Sequence, residues 1–81
     1  MKATVLIRPK EGILDPQGEA VGEALRTLGF PVIDARVGRL VDVELETDDR
    51  AEAEAALAAM SRDLLANPTI ESFTVELEDG A

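Results

Sequence analysis

Leu14-Asp15-Pro16-Gln17-Gly18-Glu19-Ala20-Val21 joins a helix start to a glycine that ordinary helix chemistry does not require. Asp15 is placed to accept hydrogen bonds from the free N–H groups of a first helical turn. Pro16 suits the first helical position, where its missing N–H has no partner to lose. Gly18 comes inside the helix, where glycine costs on the order of 1 kcal/mol relative to alanine and is kept for close approach of another backbone or a ligand. The segment therefore reads as a cap plus a contact surface. It sets the first helix at Asp15 to about Leu28, with Val21, Ala24, Leu25 and Leu28 as an apolar stripe spaced i, i+3, i+4, i+7. Gly22 is a second glycine within it, and Gly29 stands where a left-handed C-terminal residue belongs.

Outward from this helix the pattern changes to a period of two. Lys2 to Arg8 alternates, with Ala3, Val5 and Ile7 on one face. Val32 to Val37 predicts a second strand with Ile33, Ala35 and Val37 on one side, and Gly38-Arg39 predicts a two-residue hairpin turn of the Gly-X kind. Leu40 to Thr47 is the cleanest strand, with Val41, Val43 and Leu45 inward and Asp42, Glu44 and Glu46 outward. The second helix opens at Asp49, with Glu52 three residues on, and buries Ala53, Ala56, Leu57, Met60 and Leu64. Asn67-Pro68 stops it, because proline cannot continue the ladder. Ile70 to Leu77 is the last strand, with Phe73, Val75 and Leu77 facing the helices, and Glu78 to Ala81 should fray.

This order predicts an α+β fold of the ferredoxin-like split βαβ type, β-α-β-β-α-β: a four-stranded antiparallel sheet with two helices on one face, in a single domain spanning 1–81. The helix-free face then presents Leu6, Val32, Leu40 and Ile70 among polar neighbours. A chain this short buries only about 60–65% of the surface its unfolded form exposes, so self-association through the sheet is expected.

Composition excludes several classes of function. A formal charge of −9 repels phosphate backbones, and the eight basic residues are scattered, so nucleic-acid binding is not expected. Absent cysteine removes disulfides, iron–sulfur clusters and thiolate zinc sites, and absent histidine removes the commonest metal ligand and general base. The N-terminal apolar run Ala3 to Ile7 is too short for a signal-peptide core and meets Arg8 and Lys10, which gives a soluble, cytoplasmic protein with no membrane partner as the default. No phosphate-cradling loop is present, so the residue chemistry argues for binding or assembly.

Lys10, Glu11 and Gly12 lie beside a helix N-terminus able to hold an anion, although a solvated loop satisfied by Asp15 explains them more simply. Arg36 and Arg39 bracket the expected hairpin and read either as solubilising charges or as partners for an acidic surface. Asp42, Glu44 and Glu46 share a strand face without a further ligand or glycine turn, the pattern of a solvated face and not of a metal site. The alanine-rich run Ala51 to Ala59 reads as a helix packed closely on a sheet or a neighbouring subunit.

With Ala24-Leu25, Leu28-Gly29-Phe30, Val37-Gly38-Arg39, Leu64-Leu65-Ala66-Asn67-Pro68 and Ile70-Glu71, the Leu14–Val21 stretch resembles the PurS family, the small subunit of phosphoribosylformylglycinamidine synthase in purine biosynthesis. The resemblance runs from about Val5 to Val75. Arg39 stands where the family usually has lysine, and Ser72-Phe73 where an acidic-aromatic pair is common. It implies a non-catalytic subunit, homodimeric or larger, that bridges a PurL-type synthetase and a PurQ-type glutaminase and supports ammonia transfer between them. ATP and Mg are then expected on the large partner subunit, with no cofactor on this one. The residues it marks for partner contact are Lys10, Asp15, Pro16, Gln17, Gly18, Arg36, Gly38, Arg39, Asn67, Pro68 and Glu71. An ACT-like regulatory domain binding a small molecule shares the element order and a similar turn into the first helix, but its glycine sits one position away from Gly18. An acylphosphatase-like enzyme would need an arginine and an asparagine poised on a phosphate loop, and the one asparagine, Asn67, is at a helix end.

Overall fold

β1 (Lys2–Pro9) forms the centre of the molecule, because its alternation lets one face be sealed while both edges are paired. The computed structural model describes residues 1–78. β1 pairs antiparallel with β2 (Arg39–Glu44) on one edge and with β3 (Glu71–Glu78) on the other, giving the order β2-β1-β3. Val5 stands opposite Val41 and Val75, and Ala3 opposite Val43 and Leu77, so the apolar residues of three strands form one inner row. α2 (Arg50–Met60) covers that row. Asp49 caps it by accepting from the N–H groups of Ala51 and Glu52, and Ala53 and Leu57 are fully buried. Val5, Ile7 and Leu57 are the largest apolar side chains sealed from water, each contributing about 1.5–3 kcal/mol by burial.

α2 passes into a π-helical turn, Ser61–Leu65, closed by the Ala66 N–H donating to Ser61 O. The buried Ser61 hydroxyl donates to Leu57 O at 2.7 Å, so no polar group is stranded there. The wider turn changes the phase of the helix. Leu64, expected inside, is 83% exposed, while Leu65 and Ala66 turn toward the core. Pro68 then bars helical geometry at Asn67, and the chain enters β3.

The expected four-stranded sheet is not formed: the sheet has three strands. Residues 32–37 have a strand-like sequence but join no ladder. The Val37 N–H is taken by the Asp15 side chain, the Arg36 guanidinium is folded onto the carbonyls of Lys10 and Ile13, and Gly38 is pressed against the Ile7 carbonyl. Such side-chain bonds to backbone compete with sheet pairing and here displace it. The Gly38-Arg39 hairpin is absent for the same reason, and the chain runs from Gly38 directly into β2.

The expectation of two helices on one face is corrected as well. α1 (Pro16–Thr27) does not lie on the sheet; Gly18 and Gly22 pack against Ala35 of its own following segment, and Arg26 donates to Val32 O. The predicted stripe is consequently open, with Val21 40% and Leu28 73% exposed. Asp15 and Gly29 act as expected at the two ends, Asp15 capping Gly18 N–H and Gly29 adopting φ +95°. The molecule is a sheet–α2 body with an α1 lobe beside it. Its radius of gyration of 15.8 Å exceeds the roughly 12 Å of a compact chain of this length.

Candidate functional site

The residues singled out in the sequence gather at one end of the sheet, where β1 finishes and β2 and β3 begin. Strand register brings this about: Pro9 is opposite Glu71, and Ile7 is opposite Arg39. Two polar networks meet there.

Asp15 is the hub of the first. One carboxylate oxygen accepts from Gly18 N–H and the other from Val37 N–H, both at 2.9 Å, and the Arg36 guanidinium lies 3.9 Å away. These bonds favour the charged form, so the Asp15 pKa is held below its ordinary value, first by Val37 and next by Gly18. Gly18 is buried because the Ala35 carbonyl passes within 2.5 Å of where a Cβ would sit, and Asp15 Oδ2 is also in the way. The close backbone approach that the glycine signalled is therefore made by the chain itself. At Gly22, one turn on, an added Cβ would stand 3.5 Å from the Ala35 methyl.

Arg39 and Glu71 make the second network. The guanidinium fork grips the carboxylate with bonds of 2.6 and 3.0 Å, and Arg39 Nη2 also donates to Leu65 O at the end of the π turn. Glu71 accepts from Asn67 N–H as well. The Arg39 contact first and the Asn67 bond second hold the Glu71 pKa below its usual value, and the same pairing raises that of Arg39. This bidentate geometry is specific to arginine. Lys10 links the two networks: its backbone O accepts from Arg36, its N–H donates to Ile70 O, and its ammonium donates to Pro68 O at 2.7 Å.

Nine of the eleven sequence-marked residues thus sit in or against this framework, while Pro16 and Gln17 stand exposed on the first turn of α1. Ala35, Val37 and the Leu65 carbonyl complete it and lie outside the marked set. The glycines at 18 and 22 signalled that something lies close on that face of the helix, but no local pattern names Ala35 as the neighbour. A shallow groove of about 310 Å³ runs beside the networks, lined by Leu6, Arg8, Pro9, Gly38 and Leu40 with the two network arginines. At the far end of the sheet Asp42 accepts from the Thr4 hydroxyl, and among the described residues no three His, Cys, Asp or Glu side chains are grouped to hold a metal. No helix among these residues is long and apolar enough to cross a membrane.

Fold and site define a small α+β protein whose marked residues build structure and frame a surface. The PurS family, phosphoribosylformylglycinamidine (FGAM) synthase, matches residues 2–79. The PurS subunit of Archaeoglobus fulgidus is 42% identical over 93% of this chain and 95% of its own. A crystal structure of Methanocaldococcus jannaschii PurS, 32% identical, superposes with a TM-score of 0.86 over 99% of this chain and 98% of that one. A chain of the PurLQS structure from Thermotoga maritima, 28% identical, gives a TM-score of 0.86 over 93% of both. This chain belongs to the PurS family: it is a subunit of FGAM synthase, an enzyme complex of purine biosynthesis.

Proposed function

We propose that this chain holds a PurL-type synthetase and a PurQ-type glutaminase together so that ammonia released from glutamine reaches the synthetase without escaping to solvent. The observation that carries this reading is the near full-length similarity to a chain of the T. maritima PurLQS structure. The complex converts formylglycinamide ribonucleotide, glutamine and ATP to formylglycinamidine ribonucleotide in the cytoplasm, with ATP and Mg held by the large subunit and no cofactor on this one. The chain acts as a homodimer or larger assembly. Its partner surface is the networked end of the sheet: Pro16 and Gln17 offer exposed side chains, while Lys10, Asp15, Gly18, Arg36, Gly38, Arg39, Asn67, Pro68 and Glu71 set the shape on which they stand.

The test is to reconstitute the synthetase and glutaminase with and without this chain and to compare formylglycinamidine ribonucleotide formed from glutamine with that formed from added ammonium. The expected result is that glutamine-supported synthesis requires the chain while ammonium-supported synthesis persists without it. Equal glutamine-supported rates in its presence and absence would refute the bridging role.

A further inference from the structure

The chain carries 17 acidic residues against eight basic ones, and one surface reverses that balance. The groove of about 310 Å³ at the networked end of the sheet is lined by Arg8, Arg36 and Arg39 and by no carboxylate. A hollow at the opposite end, where Asp42, Glu44 and Glu78 stand with Lys2, has the other sign. So has the hollow beside α1, where Glu19, Glu23 and Asp34 stand with Arg26.

The three guanidinium groups of the groove are not equivalent. Arg39 is committed to Glu71 and the Leu65 carbonyl. Arg36 is fixed by Nη2, which donates to the carbonyls of Lys10 and Ile13, and by Nε, 3.9 Å from Asp15 Oδ2; its Nη1 has no partner among the described residues. Arg8 is exposed and makes no hydrogen bond or ion pair among the described residues. Its stem runs over Gly38, where an added Cβ would stand 3.4 Å from Arg8 Cγ. A guanidinium presents its donors in a planar fork that matches a carboxylate. The groove floor is apolar: Leu6 and Leu40 stand opposite one another in the β1–β2 register, on the face away from α2, and Leu40 is 59% exposed.

We propose that this groove docks an acidic protein segment, carried by one of the two enzymes that the chain holds together. A carboxylate of the segment pairs with Arg8 and the free side of Arg36, and a neighbouring apolar side chain rests on Leu6 and Leu40. A nucleic acid would bring charge without an aliphatic group for that floor, and a small anion would leave Leu40 wet. The formal charge of −9 repels an acidic segment over the rest of the surface, so its approach is steered to this end of the sheet. Resting on the partner surface proposed above, this docking supplies its chemistry.

The test is titration calorimetry of the whole chain against the synthetase and the glutaminase separately. Arg8→Glu is expected to weaken binding to one of them by about tenfold or more, and to flatten the salt dependence of that binding between about 0.05 and 0.5 M NaCl. Leu40→Ser should weaken the same complex by about fivefold and leave its salt dependence intact. Arg62→Glu makes the same charge change at an exposed position on the π turn, and should alter neither affinity by more than about twofold. Affinities that respond alike to Arg8→Glu and Arg62→Glu would overturn the groove and leave the bridging role standing. So would an Arg8→Glu defect confined to self-association of the isolated chain, which would make a second copy the occupant. A natural chain that binds neither enzyme would overturn the bridging role itself, and the groove with it.

Discussion

The sheet–α2 body and the α1 lobe are built from similar proportions of apolar residues but are held by different forces. In the body, Ala3, Val5, Ile7, Ala53 and Leu57 are sealed by one another, so burial does most of the stabilising. In the lobe, Val21, Leu28 and Phe30 face water, and a few polar ties fix its position: Asp15 to Gly18 and Val37, and Arg36 to Lys10 and Ile13. An amphipathic helix is informative about which face wants cover and silent about who provides it. In this chain the sheet covers α2's apolar face, and α1's stripe stays open.

The largest effect should come from the body. Leu57→Ala removes a side chain with no solvent exposure and is expected to destabilise the isolated chain by about 3 kcal/mol in urea unfolding. A loss under about 1 kcal/mol would mean that the core is looser than its burial indicates.

In the lobe the sharpest lesion is at a glycine. Gly18→Ala sets a methyl group against the Ala35 carbonyl and Asp15, and is expected to cost about 1–3 kcal/mol by overpacking, lowering the thermal midpoint. A free helical glycine would instead gain about 0.4–1 kcal/mol on the same change, so the sign of the shift decides between the two.

Acid should loosen the polar ties at both Asp15 and Glu71. Both carboxyl groups have folded pKa values below their unfolded ones, so their stabilisation is complete above about pH 4.5 and is lost as pH falls through the folded values. Thermal midpoints are expected to be level near neutrality and to fall below that point. The Asp15→Asn variant should show a shallower acid decline, and an unaltered decline would show that Asp15 carries no such linkage. The smallest effect is expected at Leu64, which stands 83% exposed on the π turn: Leu64→Ser should change stability of the isolated chain by less than about 0.5 kcal/mol.

Much of this was legible in the sequence. The alternation of β1, β2 and β3, the caps at Asp15 and Asp49, and the stop at Asn67-Pro68 are local signals that the folded chain obeys. The missing fourth strand is not legible, because residues 32–37 carry a sound strand pattern whose backbone is claimed by side chains outside it: Asp15 takes Val37 N–H, and Arg26 donates to Val32 O. Leu64 was misplaced for a different reason: a π turn changes the helical period, and nothing in Ser61 to Leu65 announces it. For the candidate site, the charged residues and glycines were readable as special, whereas their pairing across the sheet end, Arg39 with Glu71 and Gly18 with Ala35, depends on register and tertiary approach.

Amide hydrogen exchange of the isolated chain, measured across a dilution series, tests the two-part account most directly, because it reads the opening free energy of body and lobe separately. Val5 and Ile7 in β1 are expected to be strongly protected at every concentration, and α1, whose stripe faces water, weakly protected in dilute solution. Equal protection of α1 and β1 at the lowest concentration would contradict the two-part account.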